Sequence, residues 1–162
     1  MDRAITRSGL AAGLAALACL PAAAQDGVPP WLVSCQNRPD PGRLDCELAQ
    51  SIVTTQNNQR VATVALRRAA GQESVTAALT FPVGAYLPAG WTATVDGTPV
   101  ADGAFLSCDV QGCYAEAPAG AAWLDAMRGG TRFTLSIERM DRQSVEFTFP
   151  LDGFSAALDL MP

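Results

Sequence analysis

Four cysteines, Cys35, Cys46, Cys108 and Cys113, follow a stretch that reads as an export leader, and they constrain this chain more than any other feature. In an oxidising compartment an even set of cysteines is most simply read as disulfides, which small exported domains use to supplement a limited core. The leader comes first in the argument because it must be set aside before any fold is considered. Arg3 and Arg7 supply its positive start, Leu10 to Leu20 is small and apolar throughout, and Ala22-Ala23-Ala24 offers a cleavage site before Gln25. The expectation is a signal peptide over residues 1–24 and one domain over 25–162. Spanning hydrocarbon takes about 20 apolar residues, and Pro21 interrupts this run, so no transmembrane segment is expected in the mature chain. Ala16-Leu17-Ala18-Cys19 loosely resembles a lipoprotein box; the simpler reading removes Cys19 with the leader.

Loss of Arg3, Arg7 and Asp2 with the leader moves the net charge from −5 to −6. A domain of that sign has no electrostatic reason to bind nucleic acid or an anionic membrane surface. The chain contains neither His nor Lys. That absence removes the commonest general base and zinc ligand, together with Schiff-base and serine–lysine chemistry.

Hydrophobic alternation along the mature chain has the period of strands. Val75, Ala77, Leu79 and Phe81 alternate with Thr76, Ala78 and Thr80; Trp91, Ala93 and Val95 with Thr92 and Thr94. Phe133, Leu135 and Ile137 repeat the pattern, as do Val145, Phe147 and Phe149, and the five residues Arg139 to Gln143 between them read as an exposed hairpin tip. Weaker strands are expected over Trp31–Ser34, Asp45–Gln50 and Val61–Arg67. Asp96-Gly97 is a turn signal, and Leu87-Pro88-Ala89-Gly90 suits a type I turn. Short strands punctuated by Gly and Pro argue for an all-β, antiparallel sandwich or barrel. Two helices interrupt it. Ala121–Arg128 places Trp123 and Met127 on one face before Gly129-Gly130, and a C-terminal helix carries Phe154, Leu158 and Met161 behind Asp152 as a candidate N-cap.

Four cysteines permit three pairings, and proximity favours Cys35 with Cys46 and Cys108 with Cys113, each bracketing a turn-like segment. A redox role for Cys108 and Cys113 wants closer spacing and positive neighbours, whereas Asp109 and Glu116 flank them. A four-cysteine zinc site is the remaining alternative; no cofactor is expected.

Trp31 and Cys35, Cys46, Phe81-Pro82-Val83-Gly84, Leu87-Pro88-x-Gly90, Asp96-Gly97, Phe105-Leu106-Ser107-Cys108-x-x-x-Gly112-Cys113 and Leu151-x-Gly153-Phe154-Ser155-x-Ala157-Leu158 fall in one order across the mature chain. In these residues the chain resembles the invasion-associated locus B family. The resemblance implies an immunoglobulin-like β-sandwich exported by a Gram-negative bacterium, periplasmic or associated with the outer membrane, with founding members linked to host-cell invasion. It implies disulfide roles for Cys35, Cys46, Cys108 and Cys113 and carries over no catalytic residue.

The expected function is therefore a non-enzymatic binding or structural module, with an unidentified envelope or host protein as partner and its oligomeric state open. Tyr86, Tyr114, Arg139 and Arg142 are the candidate contact residues, since exposed aromatics and arginines anchor interfaces; Trp91 alternates inward and belongs to the core. The competing reading is a carboxylate-dependent hydrolase or carbohydrate-active enzyme assembled from among Asp45, Glu47, Asp96, Asp102, Asp109 and Glu116. A calcium site from Asp96, Asp102 and Asp109 is a further composition-level candidate.

Overall fold

Wherever the sequence alternates, the backbone is extended and the apolar partner of each pair points inward. The computed structural model describes residues 31–37, 44–54 and 59–161. The expected leader, its cleavage site and Cys19 lie outside these residues, as does most of the turn between Cys35 and Cys46. Ten strands form: β1 (Leu32–Asn37), β2 (Leu44–Val53), β3 (Arg60–Arg68), β4 (Val75–Phe81), β5 (Trp91–Val95), β6 (Thr98–Gly103), β7 (Ser107–Cys108), β8 (Cys113–Pro118), β9 (Arg132–Glu138) and β10 (Ser144–Pro150). Among the described residues these strands are joined by two helices, α1 (Ala121–Gly129) and α2 (Phe154–Asp159). The strands make an antiparallel sandwich of two sheets, one ordered β1-β2-β3-β4-β8-β7 and the other β10-β9-β5-β6.

Between the sheets lies one apolar core. The larger sheet contributes Leu48, Val64, Leu66, Leu79 and Phe81, and the smaller contributes Trp91, Phe133, Leu135 and Phe149, all with essentially no exposed surface. Phe81 meets Phe147 of the opposite sheet edge to face at 6.4 Å between centroids, and Phe105 of the β6–β7 connection at 5.4 Å. Such offset geometries add to the area term because the positive ring edge meets the negative face.

Both helices close the same end of the sandwich. Trp123 and Met127 of α1 are buried, with Trp123 stacked on Phe133 at 5.9 Å. The helix stops where Gly130 must pass Val95, since a Cβ there would lie 2.3 Å from Val95 Cγ1. Phe154 and Leu158 of α2 are buried too, Trp31 packs edge-on against Phe154 at 5.0 Å, and Trp31 Nε1 donates to the Pro150 carbonyl at 2.9 Å. Arg128 of α1 and Asp159 of α2 form an ion pair at 2.6 Å that fastens one helix to the other. Among the described residues, the other end is made of connections between strands.

Several expectations need correction. Asp152 does not cap α2: the N-cap is Gly153, at φ +77°, with no side-chain capping bond, and Phe154 N–H closes a turn onto the Leu151 carbonyl instead. Met161 is buried as its spacing predicts, yet it lies past the helix end, carried there by a tighter turn in which its N–H donates to the Leu158 carbonyl. The turn expected at Leu87-Pro88-Ala89-Gly90 forms, with the Gly90 N–H donating to the Leu87 carbonyl at 3.1 Å, and a second such bond from Ala89 to Tyr86 extends it into a single 3-10 turn that ends at Gly90, φ +68°. Trp31 precedes β1 and does not belong to it. Three strands also escape the alternation rule. β6 contains Pro99 and Gly103 and sits at a sheet edge, β7 is two residues long, and β8 turns only Cys113, Ala115 and Ala117 inward, too small to show a hydrophobic period.

Candidate functional site

The disulfides define the frame. Cys35–Cys46 and Cys108–Cys113 are both formed, which sets aside the zinc and dithiol alternatives for these residues in the oxidised chain. In each case the two cysteines are direct cross-strand partners, Cys35 opposite Cys46 and Cys108 opposite Cys113. β1 and β7 are the two edges of the six-stranded sheet, so each bridge ties an edge strand to its inner neighbour. The register puts the bridges at opposite ends of that sheet, the first beside Arg68 and Val75, the second beside Phe81. Edge strands expose unpaired backbone groups that fray or recruit other chains, and a covalent cross-strand tie opposes both.

The candidate contact residues converge on the end away from the helices, in two groups. Tyr86 lies in the β4–β5 connection, where its N–H donates to the Glu138 carbonyl at 2.8 Å. The guanidinium of Arg142 stands 3.7 Å above the Tyr86 ring and also pairs with Glu138 at 2.9 Å. Arg139 bridges to Ala85 through the backbone and faces Asp141 at 3.9 Å. Arg142 takes the left-handed conformation, φ +65°, which only the tight β9–β10 turn requires. Tyr114 belongs elsewhere on the same end, on the outer face of β8, where its hydroxyl donates to Asp109 at 3.2 Å. It lines a shallow depression of about 640 Å³ with Val53, Val61, Pro82, Val83 and Val110. The Met140 N–H donates to the Gly84 carbonyl at 3.1 Å, so the β9–β10 tip and the rim of this depression are joined through Val83-Gly84.

Of the carboxylates named by the enzyme reading, Asp45, Glu47, Asp96, Asp109 and Glu116 are held by protein partners, and Asp102 lies on the edge strand β6 opposite Thr92. Glu47 is paired with Arg67 at 2.7 Å, Glu116 faces the same guanidinium at 3.9 Å, and Asp45 accepts from the Ala70 N–H at 2.7 Å. Asp109 closes the β7–β8 turn: it accepts from the Gln111 N–H at 2.7 Å and the Gly112 N–H at 3.1 Å. The Gln111 N–H, helped by the Tyr114 hydroxyl, holds its carboxyl below the usual range. Partial burial and Asp109 push the Tyr114 hydroxyl up. Asp96 stitches the β5–β6 turn to the start of β9. It accepts from the Thr131 hydroxyl at 2.7 Å, the Thr131 N–H at 2.9 Å and the Arg132 N–H at 3.0 Å, and the Thr131 hydroxyl leads in lowering its pKa. A general acid requires the opposite shift. Asp96 and Asp109 lie at opposite ends of the sandwich, so the calcium trio does not assemble; among the described residues no cluster of three metal-ligating side chains occurs.

The lowered pKa of Asp96 has a pH consequence. A carboxylate whose folded pKa is depressed stabilises the fold above its ordinary pKa of 3.8, and that contribution disappears as pH falls through the folded value. Melting temperature should therefore hold from neutrality to about pH 5 and decline below about pH 4. Asp96→Ala should be less stable at neutral pH with a shallower acid decline; an unchanged acid limb would show that Asp96 is not involved.

Comparison with known proteins places this arrangement. A family model described as invasion associated locus B protein matches residues 31–162. Two invasion protein B homologs, from Brucella abortus strain 2308 and Brucella abortus biovar 1 strain 9-941, are each 34% identical over 160 residues, covering 96% of this chain and 91% of the relative. The crystal structure of invasion associated protein b from Bartonella henselae superposes with a TM-score of 0.70 at 22% identity, covering 80% of this chain and 88% of that one. At that identity the superposition speaks to the fold.

Proposed function

The chain belongs to the invasion associated locus B family, and from that premise we propose that it is a non-enzymatic binding module of the bacterial envelope whose contact surface is the loop end opposite the helices. The module is exported and works in the periplasm or against the outer membrane, where the two disulfides persist. No described helix is long and apolar enough to cross a membrane. One observation carries the reading: Arg142 is held in a left-handed backbone conformation at an exposed tip, over Tyr86, where glycine would sit without strain. A non-glycine residue in that region costs about 1 kcal/mol; the tight turn calls for it, as the β5–β6 turn does at Asp96 (φ +48°), and at the protruding tip it fixes the guanidinium over Tyr86 as a preformed contact group. Carboxylates engaged by Arg67 or by backbone N–H donors, with those of Asp96 and Asp109 held below the usual range, support the non-enzymatic reading over a hydrolase.

Arg142→Gly separates the two roles. Relief of the backbone offsets the lost exposed ion pair and ring contact, each worth up to about 1 kcal/mol, so stability should stay within about 1 kcal/mol of the parent chain. Retention in the envelope fraction after gentle lysis should fall several-fold. Retention equal to that of the parent would contradict the proposal.

A further inference from the structure

The six-stranded sheet guards both of its edges with a disulfide, and the four-stranded sheet guards only one of its own. At that edge β6 carries Pro99, a register shift against β5 at Ala93/Thr94, and α1 packed against it, devices that keep a strand from recruiting another. β10, at the opposite edge, lacks such devices. It runs seven residues in unbroken register with β9, its proline is its last residue, and its one charged side chain is Glu146. The ladder shows which of its backbone groups are left over. Just outside the strand pair the Arg139 N–H donates to the Gln143 carbonyl at 2.9 Å and the Leu151 N–H to the Thr131 carbonyl at 3.0 Å, so the odd-numbered residues of β10 turn their backbone to β9 and the even-numbered ones turn it outward. At Pro150 the outward carbonyl is taken by Trp31 Nε1. Among the described residues, the outward N–H and C=O groups of Ser144, Glu146 and Thr148 meet no backbone partner.

We infer that β10 pairs with β10 of a second copy, antiparallel about Phe147, to make one continuous sheet across a two-fold axis. A contact of that symmetry requires a strand to be its own complement, and β10 is so in one register. Centring the pair on Glu146 sets two carboxylates opposite each other, which is destabilising. Centring it on Thr148 sets Glu146 opposite Pro150, which has no N–H and whose carbonyl Trp31 already uses. Centring it on Phe147 sets Glu146 opposite Thr148, so the two residues exchange both N–H···O bonds at each side of the axis. That register also keeps Phe147 and Phe149 on the core side of both copies, and it brings Arg142 level with Asp152 of the second copy, since the two lie equally far from Phe147 on either side. Opposite charges then meet at both ends of the seam. Antiparallel pairing points the two loop ends to opposite poles of the dimer, so the inference goes beyond the loop-end reading and does not depend on it.

The test is the mass of the purified protein by sedimentation equilibrium. The parent chain should pass from monomer to dimer as its concentration rises through the micromolar range, and Thr148→Pro should associate at least about tenfold more weakly, since each copy loses an N–H at the seam. The fold does not use that N–H, and proline is tolerated at a strand edge where its nitrogen faces solvent, so Thr148→Pro should melt close to the parent. Register is read by cysteines at the exposed positions 146 and 148. Under mild oxidation an equimolar mixture of Glu146→Cys and Thr148→Cys chains should give several-fold more disulfide-linked dimer than either chain alone, because only the mixture sets two thiols directly opposite each other. A parent chain that stays monomeric throughout, a dimer that Thr148→Pro leaves intact, or equal crosslinking in the mixture and the single variants overturns the inference. Should Thr148→Pro fail to fold, the mass of the parent and the cysteine mixture decide the matter.

Discussion

Breaking the two disulfides should lower the melting temperature by roughly 10 °C for each bridge, and the loss should begin at the sheet edges. The loop-closure model gives about 2–3 kcal/mol for each, because the sequence separations are 11 and 5 residues and the entropy depends only logarithmically on loop length. In a domain of this size 1 kcal/mol moves the midpoint by about 3–5 °C. Geometry specifies where the change appears. Each bridge ties an edge strand to its neighbour, so hydrogen exchange after reduction should rise first in β1 and β7, while β3, β4 and β8 keep their protection. Cys35→Ser/Cys46→Ser and Cys108→Ser/Cys113→Ser should each reproduce one half of the effect. Four free thiols in protein purified from the oxidising compartment, or metal released on unfolding, would contradict the structural assignment.

Trp91→Ala should be the most damaging single truncation, at about 3–5 kcal/mol, since the indole is 1% exposed and its removal leaves a cavity that rigid strands cannot close. Trp91 opens β5, pairs with Gly103 on one side and Ile137 on the other, and donates from Nε1 to the Ala104 carbonyl at 3.1 Å. Space for the ring depends on two glycines. A Cβ on Gly103 would lie 2.9 Å from the indole, and one on Gly90 would lie 2.3 Å from the Gly103 carbonyl oxygen. Gly90 also has φ +68°, so Gly90→Ala combines a backbone clash with a left-handed conformation and should cost several kcal/mol by itself. Chemical denaturation of both variants tests this packing; a Trp91→Ala chain within about 1 kcal/mol of the parent would mean the site collapses freely.

The parts of this fold that were legible in the chain are those where side chains of contrasting polarity alternate. β4, β5, β9 and β10 are visible because large apolar residues repeat every second position, and both helices because Trp123 with Met127 and Phe154 with Leu158 fall four apart. β6, β7 and β8 were hidden because their inward residues are small or their strands lie at edges, where pairing with a neighbour replaces hydrophobic patterning as the cause of extension. Asp152 misled as a cap because Gly153, adopting a positive φ, turns the chain into α2 by backbone alone. The disulfide pairing followed from proximity, but its purpose did not: that β1 and β7 are the two edges of one sheet depends on strand order, which no local window contains.

The grouping of the candidate contact residues was half visible. Tyr86, Arg139 and Arg142 were named for their chemistry, and the structure joins them through a ring contact and a shared turn. Tyr114 was named with them, yet it stands with Val53, Val83 and Val110 around a different feature of the same end. Those valines carried no signal in the sequence, because an exposed apolar residue and a core residue are the same letter until the topology assigns them a side. The left-handed backbone at Arg142 was equally invisible, since Arg-Met-Asp-Arg-Gln contains no glycine to announce a tight turn.

The central claim is that the loop end meets the partner while the disulfides and the helix-closed end serve as scaffold. The most direct measurement places a photo-crosslinking amino acid at Met140 in one chain and at Leu160 in another, both positions being 69% exposed and lying at opposite ends. Irradiation of intact cells should give adducts to an envelope component, protein or lipid, from position 140 and none above background from position 160. Equal yields from the two positions, or adducts from 160 alone, would contradict the account.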